Sequence, residues 1–260
     1  MLIVISALLI WLIYTLPKVV VENDGNMTSI DSTAAPDPHM EVPRGIAERI
    51  QVLEDKYLNS SSEEKSAIFA DSLADLYAEA GKFDSAGWYA EQAATFFNSE
   101  KSLMKAGDKY YQAFTFSMDE VKQGELAEKS RVFFNKVLAI NPRNLEAKSK
   151  MAMTYVSSAN PMQGIVMLRE VLEEDPKNES ALFNLGMLSI QSGQHERAVE
   201  RLSELVTVNP KHLQGQLLLG IAYMNLGNKT QARQQFEKVK DMDKDPAVQA
   251  TVDSYLKDLK

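Results

Sequence analysis

The chain has 260 residues, a formal net charge of −8 and no cysteine. The lack of cysteine excludes disulfides, thiolate metal sites and a lipid-modified N-terminal cysteine. The acidic balance, without an evident basic face, argues against nucleic acid as a partner.

The first 21 residues are apolar apart from Lys18 and a few hydroxyl groups. As a helix they would extend about 30 Å, the thickness of the hydrocarbon core of a bilayer. A cleaved signal peptide is disfavoured, because no small-x-small site closely follows the apolar run. A buried core helix is a further alternative, but the run continues into a polar linker. Residues 1–21 therefore predict a single transmembrane anchor.

The charges near this anchor decide little about its orientation. Lys18 alone would favour a cytoplasmic location for the domain after the anchor, but the acidic residues next to it give that interpretation little support. Single N-terminal anchors of this kind mostly place the attached domain outside the cytoplasm. We therefore expect a membrane protein whose main domain lies on the non-cytoplasmic, periplasmic side.

Residues 22–43 hold five carboxylates and no Lys or Arg, and are rich in Ser, Thr, Asp and Pro. Such a composition predicts a flexible acidic linker. Helical periodicity then begins with Ile46, Ile50 and Leu53. We predict an N-terminal capping helix over residues 44–65. An amphipathic helix lying near lipid is the alternative, but its polar face would be basic, not mixed in charge.

The next two segments, residues 66–98 and 99–142, alternate small and bulky positions at helical spacing. The first has small residues at Ala74, Ala86 and Ala93. In the second, Ala106–Gly107 and Phe133–Phe134 form a small and a bulky site. Between these sites the chain is about eleven residues longer than in the later repeats, which predicts lengthened helices.

From residue 143 onward the pattern becomes strictly periodic. Pro142, Pro176 and Pro210 are 34 residues apart, and each follows Asn or Asp. Three further sets recur at this period: small residues at Ala152, Gly186 and Gly220; small residues at Gly164, Ala198 and Ala232; bulky residues at Leu168, Leu202 and Phe236. Gly193 and Gly227 mark turns where a positive φ is expected. A fixed period of this length indicates stacked copies of one helical unit.

These positions resemble the tetratricopeptide repeat (TPR), most closely over residues 181–210 and 217–239. The resemblance implies an all-α fold, a TPR superhelix built as a right-handed α-solenoid of antiparallel helix pairs, here preceded by the transmembrane helix. The repeats would occupy residues 66–98 (divergent), 99–142 (lengthened), 143–178, 179–212 and 213–245. Val248, Val252, Tyr255 and Leu259 then predict an amphipathic capping helix over 246–260.

No catalytic or metal-binding constellation is recognisable in the sequence. None of the three histidines has a second histidine three or four residues away. Neighbouring glutamates such as Glu63–Glu64 do not converge on a helix. The glycines are explained as turns, which leaves no phosphate-binding loop. We expect no cofactor, no metal and no enzymatic activity.

The resemblance also implies a binding groove lined by the first helix of each pair. Carried onto this chain, the apolar groove positions are Met153, Val156, Phe183, Met187, Ile190, Leu217, Ile221 and Met224. Such a lining suits an apolar peptide or an amphipathic helix. The alternative is that these residues pack internally, against the capping helix or a neighbouring repeat. In the earlier repeat, Asp71, Asp75 and Glu79 predict a more acidic wall.

We therefore expect a membrane-tethered TPR module that mediates protein–protein interaction as a scaffold, assembly factor or chaperone-like adaptor. Its layout is similar to that of anchored TPR proteins of bacterial envelopes. The alternative is a self-association module that organises a homo-oligomer. An enzyme is the remote third possibility.

Overall fold

The computed structural model describes residues 42–259. The regular secondary structure of these residues is all α-helix, and they contain no strand. The helices are α1 (Arg44–Leu58), α2 (Glu63–Glu79), α3 (Phe83–Phe97), α4 (Glu100–Phe116), α5 (Glu120–Ile140), α6 (Leu145–Val156), α7 (Pro161–Glu174), α8 (Glu179–Gln191), α9 (His195–Val208), α10 (Leu213–Asn225), α11 (Lys229–Met242) and α12 (Pro246–Asp258).

The predicted anchor over residues 1–21 and residues 22–41 of the predicted linker lie outside the described residues. Between residues 42 and 259, no helix combines the length and the apolar character needed to cross a bilayer.

The helices pack as successive hairpins. Each of α2 to α11 contacts the helix before it and the helix after it, and α4, α6, α8 and α10 also contact one another in sequence. The predicted all-α solenoid of helix pairs is thus confirmed. We call the first helix of each hairpin (α2, α4, α6, α8 and α10) the inner helix, and the second (α3, α5, α7, α9 and α11) the outer helix.

Small residues let the two helices of each hairpin approach closely. A Cβ atom at Gly220 would lie 2.6 Å from the Phe236 ring, and one at Gly107 would lie 2.6 Å from the Phe134 ring. In the α6–α7 hairpin the arrangement is reversed, because the glycine is on the outer helix. A Cβ atom at Gly164 would lie 2.2 Å from the backbone oxygen of Ala152. The recurring small and bulky positions of the sequence therefore describe direct helix–helix contacts.

Turns within the hairpins use left-handed backbone. Gly193 has a φ of 71° and Gly227 a φ of 75°, as the sequence predicts. Asn98 closes α3 with a φ of 43°, in a region where asparagine is tolerated better than most residues. The helix therefore ends there without a proline.

The first hairpin begins earlier than predicted. Helix α2 starts at Glu63, not at residue 66, and the N-terminal helix correspondingly ends at Leu58 instead of continuing to residue 65. The side chain of Ser62 accepts a hydrogen bond from the backbone N–H of Lys65 at 3.5 Å. An N-cap serine followed by glutamates complements the unpaired N–H groups and the dipole at a helix start. The Ser62 cap therefore explains why α2 begins at Glu63 and not at residue 66.

Helix α1 packs against the first hairpin through both apolar and polar contacts. Ile50 is buried beside Leu73 and Leu76. The Glu54 carboxylate accepts hydrogen bonds from the hydroxyls of Tyr77 (2.6 Å) and Tyr89 (3.2 Å). Burial and the Glu54 carboxylate raise the pKa of Tyr89 to about 12, and they raise the pKa of Tyr77 as well, so both hydroxyls remain donors at neutral pH. Helix α1 thereby covers the first end of the described solenoid.

At the other end, α12 covers the last hairpin. Asp245 caps it by accepting a hydrogen bond from the Ala247 N–H at 2.8 Å. Val252 and Leu259 are buried, and the Tyr255 ring stacks on Phe236 with the centroids 5.0 Å apart. The amphipathic pattern of residues 246–259 thus places an apolar face on the core.

The hairpin of residues 99–142 contains the longest helix between residues 42 and 259, α5. Helix α5 has 21 residues and α4 has 17, whereas those of the next three hairpins have 12 to 14. Around the connection between α4 and α5, Phe116, Met118 and Val121 are largely exposed, at 54%, 78% and 76%, although the Phe116 ring stacks on Phe83 of α3.

Candidate protein-binding groove

The eight predicted groove residues lie on three successive inner helices, α6, α8 and α10. All eight side chains are partly buried. Met153 and Val156 are on α6, Phe183, Met187 and Ile190 on α8, and Leu217, Ile221 and Met224 on α10. Since α6 contacts α8 and α8 contacts α10, these side chains are brought to adjacent helices.

All of these side chains except Met187 also contribute to packing inside the solenoid. A Cβ atom at Gly164 would lie 2.8 Å from a Val156 methyl group, so Val156 faces the outer helix α7. Leu217, Ile221 and Met224 pack against the core cluster formed by α11 and α12. Part of the predicted lining therefore supports the C-terminal helix, as the alternative of internal packing requires.

Phe183 is held in position by a histidine from the next hairpin. The Phe183 and His212 rings stack with centroids 5.2 Å apart and an angle of 29° between their planes. His212 is the N-cap of α10, and its Nδ1 accepts a hydrogen bond from the Gly215 N–H at 3.0 Å. Because both contacts orient one imidazole, the aromatic side chain between α8 and α10 is well fixed.

Met187 occupies the middle of the candidate groove. It lies between Phe183 and Ile190 on α8 and belongs to none of the core clusters of residues 42–259. Met153 packs against the core cluster of α6, α7 and α8, and Phe183 and Ile190 pack against that of α8, α9 and α10, each with part of its side chain exposed. We call Met153, Phe183, Met187 and Ile190 the central groove.

The inner helices of the first hairpins carry charged residues instead. Lys105 on α4 bridges Asp71 and Asp75 on α2, at 2.8 Å each, and Lys109 approaches Asp75 to 3.0 Å. Glu79 pairs with Arg49 of α1 at 3.7 Å. The prediction of an acidic wall is therefore wrong, because each of its three carboxylates has a basic partner from a neighbouring helix, and the surface has no excess of negative charge.

The same arrangement recurs one hairpin later. Lys150 on α6 contacts Asp108 on α4 at 2.7 Å and Glu146 at 2.6 Å. Lys105 and Lys150 stand two positions before the small residues of their helices, Gly107 and Ala152. Asp75 and Asp108 stand one position after the small residues of theirs, Ala74 and Gly107. We call Asp71, Asp75, Lys105, Asp108 and Lys150 the ion-pair ladder. The offsets that Asp75 shares with Asp108, and Lys105 with Lys150, were the sequence signal for it.

Opposing effects set the pKa values within the ladder. Burial would raise the pKa of Asp75, but hydrogen bonds and positive charge from Lys105 and Lys109 outweigh it, so the pKa lies below its ordinary value. Burial would lower the pKa of Lys150, but Asp108 and Glu146 outweigh it, so the pKa lies above its ordinary value. Both groups stay charged across the neutral range.

In the later inner helices, uncharged residues stand one position after the small residues Ala152 and Gly186 and two positions before the small residues Gly186 and Gly220. Met153 and Met187 occupy the aspartate position, while Asn184 and Leu218 occupy the lysine position. The ladder therefore ends at α6, where the central groove begins. Among residues 42–259, no cluster of His, Asp and Glu could hold a metal ion.

The fold defines the class of protein: an α-solenoid of helical hairpins. The sequence profile of the tetratricopeptide repeat matches residues 160–212 and 189–253. This match places tetratricopeptide repeats in the C-terminal part of the chain, and the fold of the described residues is similar to that of solved TPR structures.

Solved structures similar to the chain share its fold at low sequence identity. MamA residues 41 to the end from Desulfovibrio magneticus RS-1 is 17% identical, covering 71% of this chain and 99% of its own, with a TM-score of 0.53. A thermophilic TPR protein of Thermus thermophilus is 15% identical, covering 73% and 98%, with a TM-score of 0.56. A tetratricopeptide repeat protein from Parabacteroides merdae ATCC 43184 is 16% identical, covering 82% and 92%, with a TM-score of 0.55. No curated protein matches the chain.

Proposed function

We propose that the chain is a non-catalytic, membrane-tethered TPR module that binds an apolar or amphipathic peptide segment of another protein. Residues 1–21 would supply the anchor, and the domain would lie on the periplasmic side. The observation that carries the binding role is the central groove. At the positions where the preceding hairpins form ion pairs, it presents Met153 and Met187.

The properties of these side chains favour a helical or extended apolar ligand. Methionine has three rotatable bonds and a polarizable sulfur, so it adapts to the shape of an irregular partner. The stacked Phe183 ring offers a fixed aromatic surface beside it. A ligand with apolar residues at i, i+3, i+4 and i+7 would place one stripe on this surface.

The test is a selection of binding peptides from a random library on the full chain. Peptides with helical apolar spacing are expected, and Met187→Glu should weaken their binding about tenfold or more, since a carboxylate would be desolvated on binding. Because Met187 lies outside the core clusters, this variant should keep its fold. The matched control is Met162→Glu on α7, where the side chain is 60% exposed. If Met187→Glu and Met162→Glu bind the peptides equally well, the central groove is not the binding site.

Self-association is the second candidate, and the connection between α4 and α5 favours it. Phe116, Met118 and Val121 form an exposed apolar surface there, which we call the apolar tip. Exposed apolar residues that cluster in this way commonly mark an interaction surface. Sedimentation equilibrium of the full chain in detergent tests it: an oligomer that dissociates on Met118→Glu but not on Met162→Glu supports this function, whereas a monomer excludes it.

A further inference from the structure

A second surface lies on the opposite side of α8 from the central groove. It is a cleft of about 380 Å³ between α7, α8 and α9. On α8 and directly after it, its lining residues are Leu185, Leu188, Ser189 and Ser192. At about 100° per residue, these positions face away from Phe183, Met187 and Ile190. A ligand in this cleft would therefore leave the central groove free.

Three of the chain's eight arginines line this cleft: Arg169 from α7, and Arg197 and Arg201 from α9. Arginine ion pairs within residues 42–259 involve other residues, namely Arg44, Arg49, Arg131 and Arg143. Arg197 donates a hydrogen bond at 2.5 Å to the side chain of Gln194, which also lines the cleft. We call this site the arginine cleft.

The charge of the arginine cleft is opposite to that of the chain. Its lining includes three arginines and one carboxylate, Glu200, whereas the chain has a net charge of −8. Three positive charges against one negative charge leave the lining with a net positive charge. A local positive site on an acidic protein attracts a short acidic group, while the surrounding negative charge repels a long polyanion.

We propose that the arginine cleft binds an acidic peptide segment of a partner protein, in which aspartate or glutamate alternates with aliphatic residues. The planar guanidinium groups can each bind a carboxylate through two parallel hydrogen bonds. Ile165, Leu185 and Leu188 provide an apolar floor for an aliphatic side chain between the carboxylates. The volume of the cleft is within the range of protein ligand sites.

This site is independent of the central groove, so the module would hold two partners on opposite faces of α8. The test uses the full chain and a library of short peptides with an acidic residue at every second position. We expect binders with aliphatic residues at the intervening positions, and weaker binding as the salt concentration rises.

Two variants with the same loss of charge give the decisive comparison. Arg201→Gln should weaken the selected peptides about tenfold or more, because hydrogen bonds between charged groups are lost. Arg233→Gln on α11, outside the cleft, should bind as the unchanged chain does. Met187→Glu should also bind these peptides normally, which separates this proposal from that for the groove. Absence of binders, binders unaffected by Arg201→Gln, or equal binding of peptides with Asn and Gln in place of the acids would overturn it.

Discussion

The inner helices of the N-terminal and C-terminal hairpins occupy equivalent places in one solenoid but contact their neighbours through different chemistry. From α2 to α6, lysines join carboxylates across adjacent helices. From α6 to α10, the same offsets hold Met153, Met187, Asn184 and Leu218. The helix pairs still form in both halves, because their packing depends on the small and bulky residues inside each hairpin. The inner surface is therefore free to change its chemistry without a change of fold.

The largest expected effect is at the junction of the two halves. Gly164→Ala should lower the free energy of unfolding by about 2–3 kcal/mol, because the added Cβ would meet backbone atoms of α6 that cannot rotate away. At Gly186 the nearest atoms are those of the Leu202 side chain, so Gly186→Ala should cost only about 1 kcal/mol. Urea unfolding of both variants measures the difference. Equal costs would mean that the junction is no more tightly packed than the C-terminal hairpin.

A smaller effect is expected from the ion-pair ladder. Lys150→Met should lower the free energy of unfolding by about 1 kcal/mol, because Asp108 is partly buried and would lose its partner. Asn184→Met, at the same offset on α8, should change it by less than about 0.5 kcal/mol. The measurement is again urea unfolding. If the two substitutions cost the same, charge pairing does not distinguish the two halves.

The smallest expected effect is a pH dependence that arises from Asp75 in the N-terminal half. The folded pKa of Asp75 lies below its unfolded value, so its contribution to stability is present above about pH 4. This contribution is lost as the pH falls through the folded pKa. Because Asp75 is largely exposed, the change should stay below about 1 kcal/mol.

Hydrogen exchange followed to acid pH localises this change. Amides of α2 and α4 should lose protection before those of α8 and α10, and Asp75→Asn should reduce the difference. Uniform loss along the solenoid, or an undiminished difference in Asp75→Asn, would contradict a role for this carboxylate.

Features that repeat at 34 residues were predictable from the sequence, whereas contacts between non-equivalent positions were not. The period indicated the hairpins of residues 143–245 and the positive φ of Gly193 and Gly227. The start of α2 was misplaced because the prediction did not weigh the Ser62 cap. The acidic wall was wrongly predicted because Lys105 and Lys109, its partners, come from another helix. Likewise, Arg169 and Arg201 belong to different hairpins and stand among glutamates, so only the fold brings them together.

In the α6–α7 hairpin the glycine is on the outer helix, and this difference has a consequence for where whole repeats could be gained or lost. The hairpins of residues 179–245 share the order of glycine on the inner helix and alanine on the outer one, so a 34-residue duplication after Asn209 would present the same contacts to both neighbours. Residues 99–178 differ, because their helices vary in length and Lys150 requires a carboxylate on α4. Insertions and deletions of whole repeats should therefore accumulate among relatives on the C-terminal side, while the N-terminal hairpins keep a fixed number and order.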